Sequence, residues 1–300
     1  MRFATITMTS GPFEDLVRRF RWFESLGLDT AWVDDDLIRP QVSDYEAWTV
    51  LGALARETSR IRIGTLVSTI AFRHPSFLAA QAITVDHLSD GRVTLGLGSG
   101  ACCPEFNEIV GHAPWTNAER ADRFEEQVGV LTTLLRGEAI DHAGPDYPTV
   151  VPDPPRPVQR PAIPLVLAAH GPRGLRLAAR HAAGWNCFGG QAYGGAERTF
   201  NEAVAKTREM LDGLDEACAE VGRDPRTLSR SILAFAVRRD PLSSLDWFDE
   251  YVGRYAELGI EEITFFWPRF YHPDGEPIPA AAMAMFERIA ADRILSRASG

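Results

Sequence analysis

Two segments, IRIGTLVST at residues 61–69 and VTLGLGSG at residues 93–100, decide the fold of this chain. Both are short, β-branched and largely apolar, which is typical of strands that are covered on both faces. Between them, apolar residues recur at helical spacing over residues 76–88, and Ser89, Asp90 and Gly91 supply a turn. The pattern therefore predicts a strand, a helix and a second strand in immediate succession.

Three glycines, Gly96, Gly98 and Gly100, alternate along the second strand and so share one of its faces. A strand face without side chains lets a bulky group approach the backbone closely, so we interpret it as a shelf for a ligand. The same glycines formally match the dinucleotide fingerprint GxGxxG/A, which requires them in a turn that opens directly into a helix. Gly96 lies inside the predicted strand and Cys103-Pro104 interrupts the segment after the last glycine, which argues against a Rossmann site.

A unit of amphipathic helix, glycine and short β-rich segment recurs along the chain and extends this pattern. The glycines are Gly27, Gly184 and Gly259, and we predict that each ends its helix in the left-handed conformation. Including these units, we predict eight strands, at residues 3–8, 30–33, 61–69, 93–100, 165–169, 185–188, 228–237 and 262–266. Strands that alternate with helices in this way predict an α/β fold, the TIM (β/α)8 barrel, with a doubly wound parallel sheet as the alternative.

Two segments interrupt the alternation, at residues 101–117 and 137–164, and we expect both to be irregular insertions in the barrel. The first follows the glycine-rich strand at its carboxyl end, where barrel enzymes build their sites, so we expect it to border the pocket. The second is rich in proline, aspartate and glycine, and we interpret it as an ordered surface crossing. We expect one domain over residues 1–300 rather than two.

Composition argues against several classes of protein. With 31 basic and 41 acidic side chains, a net charge of -10 and no basic run, the chain lacks the pattern of proteins that bind nucleic acid or anionic membranes. No apolar run approaches the roughly 18 residues that a membrane span needs, and no secretory leader is visible, so we expect a cytoplasmic protein. The four cysteines lack CxxC spacing, which argues against structural zinc, and we predict no metal site.

Polar residues follow three of the predicted strands and are the candidates for chemistry. Asp34-Asp35-Asp36 ends the second strand, where adjacent carboxylates can serve as acid, base or cation ligand, or can cap the next helix. Arg73 and His74 follow the third strand and can meet an anionic group or cap a turn. His170 follows the strand at 165–169, beside a helix start whose N–H groups, with the Arg173 guanidinium, suit a phosphate. Functional and structural interpretations of His170 both remain open.

Several segments of the chain together carry a resemblance to a known family. They are RIGT at residues 62–65, RHPSFLAAQ at 73–81, DGRV at 90–93, LGLGSG at 95–100 and PLVLAAHGP at 164–172. With these, the chain resembles the bacterial luciferase-like family of flavin- and deazaflavin-dependent oxidoreductases, which are TIM barrels. Within the family, GTLV at residues 64–67 followed by Phe72-Arg73 is most similar to the branch that uses coenzyme F420.

The resemblance implies a binding site for coenzyme F420, with FMN as the alternative cofactor. In the F420 branch a non-prolyl cis peptide in the third strand lies against the deazaflavin ring, and by likeness it falls here between Leu66 and Val67. Asp36 and His170 are the candidate catalytic residues, either of which would manage the proton that accompanies hydride transfer. The candidate cofactor-binding residues are Asp35, Leu66, Val67, Ser68, Gly98, Ser99, Gly100, Ala169, His170, Gly171 and Arg173.

The same resemblance implies the reaction, a hydride transfer between C5 of the deazaflavin and a small organic substrate. In the sugar-phosphate dehydrogenases of this branch a histidine, a tryptophan and a glutamate occupy the positions of Asp36, Pro40 and Ala101, so the resemblance supports the cofactor and opposes that substrate. Glu105 is the nearest replacement for the missing glutamate. An FMNH2- and oxygen-dependent monooxygenase and a non-catalytic flavin-binding barrel are the alternative functions. We also expect a homodimer.

Overall fold

The computed structural model describes residues 1–36, 45–100, 105–189, 198–235, 237, 239–268 and 278–296 of the chain. Its strands are β1 (Arg2–Thr7), β2 (Thr30–Val33), β3 (Arg62–Thr69), β4 (Val93–Gly98), β5 (Ile140–His142), β6 (Thr149–Val151), β7 (Leu165–Ala168), β8 (Gly184–Cys187), β9 (Ser229–Leu233) and β10 (Glu262–Phe266). Eight of these strands form a closed barrel in the order β1-β10-β9-β8-β7-β4-β3-β2, and all neighbours in it are parallel. Closure confirms the TIM barrel and excludes the doubly wound sheet.

Helices follow most barrel strands and cover the outside of the barrel. They are α1 (Phe13–Ser25), α2 (Ala47–Glu57), α3 (Pro75–Leu88), α4 (Glu105–Ile109), α5 (Asn117–Leu134), α6 (Pro172–His181), α7 (Phe200–Glu220), α8 (Leu245–Ala256) and α9 (Ala280–Ile289). Two 3-10 turns, at Pro225–Thr227 and Pro241–Ser243, and a π-helical turn at Ala290–Ile294 complete the regular structure. Among the described residues, no helix combines the length and the apolar character that a bilayer crossing demands.

Apolar side chains form two separate cores because the barrel strands are covered on both faces. The larger core lies between the strands and the helices, and its strand contribution comes from residues such as Phe3, Ile63 and Leu95. The smaller core fills the inside of the barrel, where the alternate residues of β1 point inward. Its buried members are Ala4, Ile6, Met8, Trp32, Leu66 and Phe266.

Strand β3 contains one extra residue at one point of its pairing with β4. Thr65 pairs with Leu95, but the next paired residues are Ser68 and Leu97, so the register shifts at Leu66 and Val67. The peptide bond between Leu66 and Val67 is cis, as the resemblance implies. We call residues 66–67 the β3 bulge, and it lies near the carboxyl end of the barrel.

Two of the three glycines that we predicted to end helices do so. Gly27 follows α1 with a φ of +75° and Gly259 follows α8 with a φ of +77°, conformations that glycine adopts at little cost. Gly184 instead begins β8 and has no left-handed backbone. A Cβ on Gly184 would lie 3.3 Å from Cγ2 of Val166, so this glycine permits a close approach between β8 and β7.

The two insertions contain regular structure that the sequence pattern did not predict. The first includes α4, while residues 101–104 lie outside the described residues. The second contains the antiparallel hairpin of β5 and β6. Tyr147 in this hairpin is buried, its ring meets the His74 ring edge-on, and burial raises the pKa of Tyr147 to about 12. The second insertion is therefore ordered and packed against the end of β3.

Candidate functional site

Four neighbouring strands carry the predicted site residues to one side of the barrel rim. Asp34, Asp35 and Asp36 follow β2, the bulge at Leu66–Val67 lies in β3, Ser99-Gly100 follows β4, and His170-Gly171 comes shortly after β7. The strands β2, β3, β4 and β7 are consecutive in the barrel and parallel, so their carboxyl ends meet at the same edge. The carboxyl end is where barrel enzymes place their active sites.

The glycine face of β4 is not the open shelf that we predicted. A Cβ on Gly96 would lie 2.2 Å from the carbonyl oxygen of Thr65, and one on Gly98 would lie 2.7 Å from Cγ2 of Val67. These glycines therefore make room for the β3 bulge rather than for a ligand. Gly100, with a φ of +71°, needs glycine for its backbone conformation. Any ligand at this position would meet Val67, whose side chain is half-buried.

Arg73 joins two acidic residues beneath the rim. Its guanidinium donates two hydrogen bonds to the Asp35 carboxylate, from Nη1 to Oδ2 at 2.5 Å and from Nη2 to Oδ1 at 2.9 Å, and another to Glu46. The Arg73 side chain is 6% exposed and the Asp35 side chain is 0% exposed. Burial raises the pKa of the Asp35 carboxyl, and the charge and hydrogen bonds of Arg73 oppose that shift. This geometry does not favour the predicted contact of the Asp35 carboxylate with a cofactor, nor an anion on Arg73.

The hydroxyl of Ser68 is hydrogen-bonded to side chains within the protein. Its Oγ accepts a hydrogen bond from Nε1 of Trp48 at 3.0 Å and donates one to Oγ1 of Thr65 at 3.1 Å. Both Ser68 and Trp48 are buried. The predicted role of Ser68 toward a cofactor is thus left to its backbone, while its side chain joins β3 to α2.

His170 lies just beyond β7, half-buried among aromatic rings. Its ring meets that of Phe188 edge-on at a centroid distance of 4.7 Å, and Trp185 lies at 6.5 Å. Burial lowers the pKa of His170, and a hydrogen bond to the backbone of Asn186 opposes that shift. Its Nε2 atom is buried and has no hydrogen-bond partner in the described part of the chain. A buried polar atom of this kind requires a partner, and a ligand at the rim can provide one.

The start of α6 lies beside His170 and is open to solvent. Gly171 caps the helix without a side-chain hydrogen bond, and it is exposed. The first N–H groups of a helix have no partner within it, so this end suits an anionic or carbonyl oxygen. Arg173, however, donates to Asp122 at 2.6 Å and to Glu125 at 2.7 Å on α5. Its guanidinium is held there, which does not favour the anion contact that we predicted for it.

The remaining predicted residues have less specific surroundings. Ala169 is buried, and its carbonyl oxygen accepts a hydrogen bond from Nε1 of Trp185 at 2.7 Å. Asp36 is half-buried and ends the described segment after β2. Pro40 and Ala101, two of the positions that depart from the sugar-phosphate dehydrogenases, lie outside the described residues, as does the side chain of Glu105.

Aromatic and sulfur-containing side chains occupy the opposite side of the rim. Met8 and Phe266 belong to the core inside the barrel, and Phe235 packs against them with its ring 5.6 Å from that of Phe266. Phe188 follows β8 and faces His170. We did not single out Phe188 or Phe235 from the sequence, although Phe188 ends one predicted strand and Phe235 lies two residues before the end of another. We call the part of the rim at β2, β3, β4 and β7, which carries Asp36 and His170 beside the β3 bulge, the polar side. We call the part at β1, β8, β9 and β10, which carries Met8, Phe188, Phe235 and Phe266, the apolar side.

Comparison of the sequence with known proteins assigns the chain to one family. The sequence profile of the luciferase-like monooxygenase family matches residues 1–296. An F420-dependent glucose-6-phosphate dehydrogenase from Microbacterium testaceum is 32% identical over 209 residues, which make up 67% of this chain and 57% of that protein. The chain therefore spans little more than half the length of this curated relative.

Solved structures agree on the architecture. The F420-dependent tetrahydromethanopterin reductase from Methanopyrus kandleri superimposes with a TM-score of 0.75 over 99% of both chains, at 16% identity. A monooxygenase from Streptomyces bottropensis superimposes with a TM-score of 0.74 over 99% of this chain and 100% of that one, at 19% identity. At these identities the likeness establishes a shared fold, and one barrel serves both types of enzyme.

Proposed function

This chain belongs to the luciferase-like monooxygenase family, and from that premise we propose that it is an oxidoreductase that uses coenzyme F420. When bound, F420 supplies a hydride donor or acceptor at C5 of its deazaflavin, and a small organic substrate exchanges the hydride. The relative from Microbacterium testaceum carries the same coenzyme in its name. The sequence pattern at residues 64–67 and 72–73 supports the F420 branch independently of that name.

The observation that carries the proposal is the buried, unpartnered Nε2 of His170 on the polar side of the rim, as seen within the described part of the chain. A nearby ligand with polar atoms along one edge would satisfy it, and a tricyclic deazaflavin has such an edge. The β3 bulge offers apolar contact through Leu66 and Val67, and both residues pack with the core inside the barrel. The exposed start of α6 at Gly171 provides N–H groups for the charged end of the coenzyme. These residues fit the proposed cofactor.

Each residue of the polar side would contribute a separate function. Leu66 and Val67 would support one face of the ring and exclude water from it. Ser99, Gly100 and Gly171 would donate backbone N–H groups. Asp36 or His170 would hold or release the proton at the reacting oxygen of the substrate. The lowered pKa of His170 favours its neutral form at neutral pH, so that Nε2 can accept a proton or donate a hydrogen bond.

The substrate, in this proposal, is a small organic molecule that lies against the apolar side of the rim. Phe188, Phe235 and Met8 provide apolar surface for it. Asp36 stands where the sugar-phosphate dehydrogenases have a histidine, which opposes a sugar phosphate as the substrate.

Binding experiments decide between the proposed cofactor and its alternative. Purified protein is titrated separately with F420 and with FMN, and binding is followed by tryptophan fluorescence and by calorimetry. We expect saturable binding of F420 and weak binding of FMN. Tight FMN binding without an F420 response would overturn the proposal in favour of a flavin-dependent monooxygenase. F420 binding without hydride exchange across a panel of ketones, alcohols and enones would favour a non-catalytic barrel.

We further propose a homodimer in which an apolar strip on α2 and α3 is covered. Phe77 is 61% exposed, and Leu88, further along α3, is 36% exposed. They line a groove of about 360 Å³ that also includes Gly52 and Ala80. Replacing Phe77 with Asp should convert the dimer to a monomer in sedimentation experiments, whereas a monomeric wild type would refute the dimer. A single domain over residues 1–300 and a cytoplasmic location stay predictions.

A further inference from the structure

We propose that Arg73 is a positioning residue that holds the two rim segments between which the coenzyme would lie. Those segments are Asp34–Asp36 after β2 and the β3 bulge at Leu66–Val67. This inference rests on the proposed use of F420, and it assigns Arg73 no contact with the coenzyme itself. The proposed role of Arg73 is to fix the positions of Asp36 and the β3 bulge relative to each other.

The bond between Arg73 and Asp35 fixes the first segment. Two parallel hydrogen bonds join the guanidinium to the carboxylate, at 2.5 and 2.9 Å, and both side chains are almost fully buried. A bidentate pair restrains both distance and orientation, which a single lysine contact cannot do. Asp36 is the next residue in the chain. A change in the position of Asp35 therefore moves the candidate proton carrier directly.

A second set of contacts connects the same guanidinium to α2. Arg73 also donates to Glu46, and the Glu46 carboxylate accepts hydrogen bonds from the backbone N–H groups of Trp48 at 3.3 Å and Thr49 at 2.7 Å. Glu46 thus caps α2 while it is bonded to Arg73. Asp35 and Glu46 lie on either side of residues 37–44 in the sequence, so Arg73 binds the chain just before and just after that segment.

The contacts return to the β3 bulge through Trp48. Its indole Nε1 donates to Oγ of Ser68 at 3.0 Å, and Ser68 is the residue that follows Val67. Arg73 is therefore bonded directly to Asp35 and is connected to the β3 bulge through Glu46, Trp48 and Ser68. Displacement of Arg73 would shift Asp36 and Val67 together.

The matched comparison is Arg92, a partly buried arginine at the other end of the barrel. Arg92 donates five hydrogen bonds, to acceptors that lie in the segments preceding β3 and β4: Ala55, Thr58, Ile61 and Ser89. None of these acceptors lies on the rim. Arg92→Lys should therefore reduce stability without moving the proposed site, whereas Arg73→Lys should change both.

The test compares Arg73→Lys, Arg92→Lys and the wild type by F420 titration and thermal unfolding. We expect Arg73→Lys to raise the dissociation constant of F420 about 10-fold or more, because a small misplacement of supporting groups has effects of this size. Arg92→Lys should lower Tm yet keep the dissociation constant within about twofold. An unchanged dissociation constant in Arg73→Lys, or an equal loss in both variants, would overturn the inference.

Two further outcomes keep the test decisive. If Arg73→Lys does not fold, Glu46→Gln replaces it, because Glu46 is a half-exposed member of the same chain of contacts. A rise of at least about threefold in the F420 dissociation constant then supports the inference, and no rise refutes it. If the wild type itself does not bind F420, the proposed function fails and this inference fails with it, which is distinguishable from failure of the Arg73 variant alone.

Discussion

The two ends of the barrel differ in how completely some of their buried polar groups are hydrogen-bonded. At the amino end, the guanidinium of Arg92 donates to backbone carbonyls, Arg62 donates to Thr94 and Gln159, and Glu262 accepts from Arg2 at 3.2 Å. At the carboxyl end, Nε2 of His170 is buried without a partner among the described residues. The charged groups named at the amino end are bonded within the protein, whereas Nε2 of His170 at the carboxyl end retains a capacity for hydrogen bonding.

This difference separates stability from function in the fold. Buried polar groups that are fully bonded stabilise a structure or are close to neutral, whereas an unbonded one has a free-energy cost. Barrel enzymes concentrate their chemistry at the carboxyl ends of the strands, and residues at the amino ends mainly support the fold. Changes at the two ends should therefore have separable effects.

The largest expected effect is on the amino end. Arg92→Met removes five hydrogen bonds and leaves backbone carbonyls unpaired, so we expect the free energy of unfolding to fall by about 3–5 kcal/mol. Urea unfolding measures this change. Arg60→Met, at a nearby exposed position, is the control and should stay within about 0.5 kcal/mol of the wild type. A loss of F420 affinity in folded Arg92→Met would contradict the separation of the two ends.

The second largest effect is expected where β4 packs against the β3 bulge. Gly96→Ala places a Cβ against the carbonyl oxygen of Thr65, which should destabilise the protein by about 1–3 kcal/mol and displace the β3 bulge. F420 affinity should decrease as well. Gly129→Ala in α5, where a Cβ meets no atom within 4 Å among the described residues, is the control. It should stabilise the protein by about 0.5–1 kcal/mol. Equal stabilities for the two variants would show that β3 and β4 can separate freely.

A smaller effect concerns His170. His170→Gln removes the proposed contact and should raise the F420 dissociation constant about fivefold, the equivalent of one hydrogen bond. Burial lowers the pKa of His170 in the folded state, so the unfolded state binds more protons below about pH 6.5. Wild-type stability should therefore fall as the pH falls through this range, and the variant should lose less. The exposed His112→Gln variant is the control for both measurements.

The smallest effect is a pH dependence of opposite sign at the amino end. Burial raises the pKa of Glu262, against the opposing charge of Arg2, so the folded state binds more protons than the unfolded one. The contribution of Glu262 to stability is complete below its unfolded pKa and is lost as the pH rises through the folded one. Glu262→Gln should flatten this part of the stability curve, as measured by urea unfolding between about pH 4 and 8. A steeper slope in the variant would show that the carboxylate is stabilised by its surroundings.

Local sequence patterns predicted the barrel because each of its strands carries its own signal. Alternation of apolar segments and helices is repeated along the chain, and closure of the eight strands follows from that repetition. The hairpin of β5 and β6 was missed because its strands have three residues each, too few for a periodic pattern. Boundaries also differ at β9, which we predicted to extend to Val237 and which ends at Leu233.

The details of the site depend on contacts between distant residues, which local patterns do not contain. Arg73 is 38 residues from Asp35 and 27 from Glu46, so the local sequence around each residue does not indicate its partner. The glycines of β4 were misinterpreted for a related reason, since the space above them is filled by a bulge in another strand. The resemblance supplied the position of the cis peptide, which no periodicity indicates.

The second insertion contacts both ends of the barrel, which limits how it can be exchanged with the same segment of a homologous protein. Tyr147 packs near Ile70 at the carboxyl end of β3, with its hydroxyl 3.5 Å from the Ile70 carbonyl oxygen, while Gln159 bonds to Arg62 and Asp86 at the amino end. The segment between them spans the full height of the barrel wall. A graft of this segment from a homologous protein should therefore succeed only if the contacts of Tyr147 and of Gln159 are both preserved. A chimera that preserves one of these contacts should leave the segment attached to the barrel at one end only.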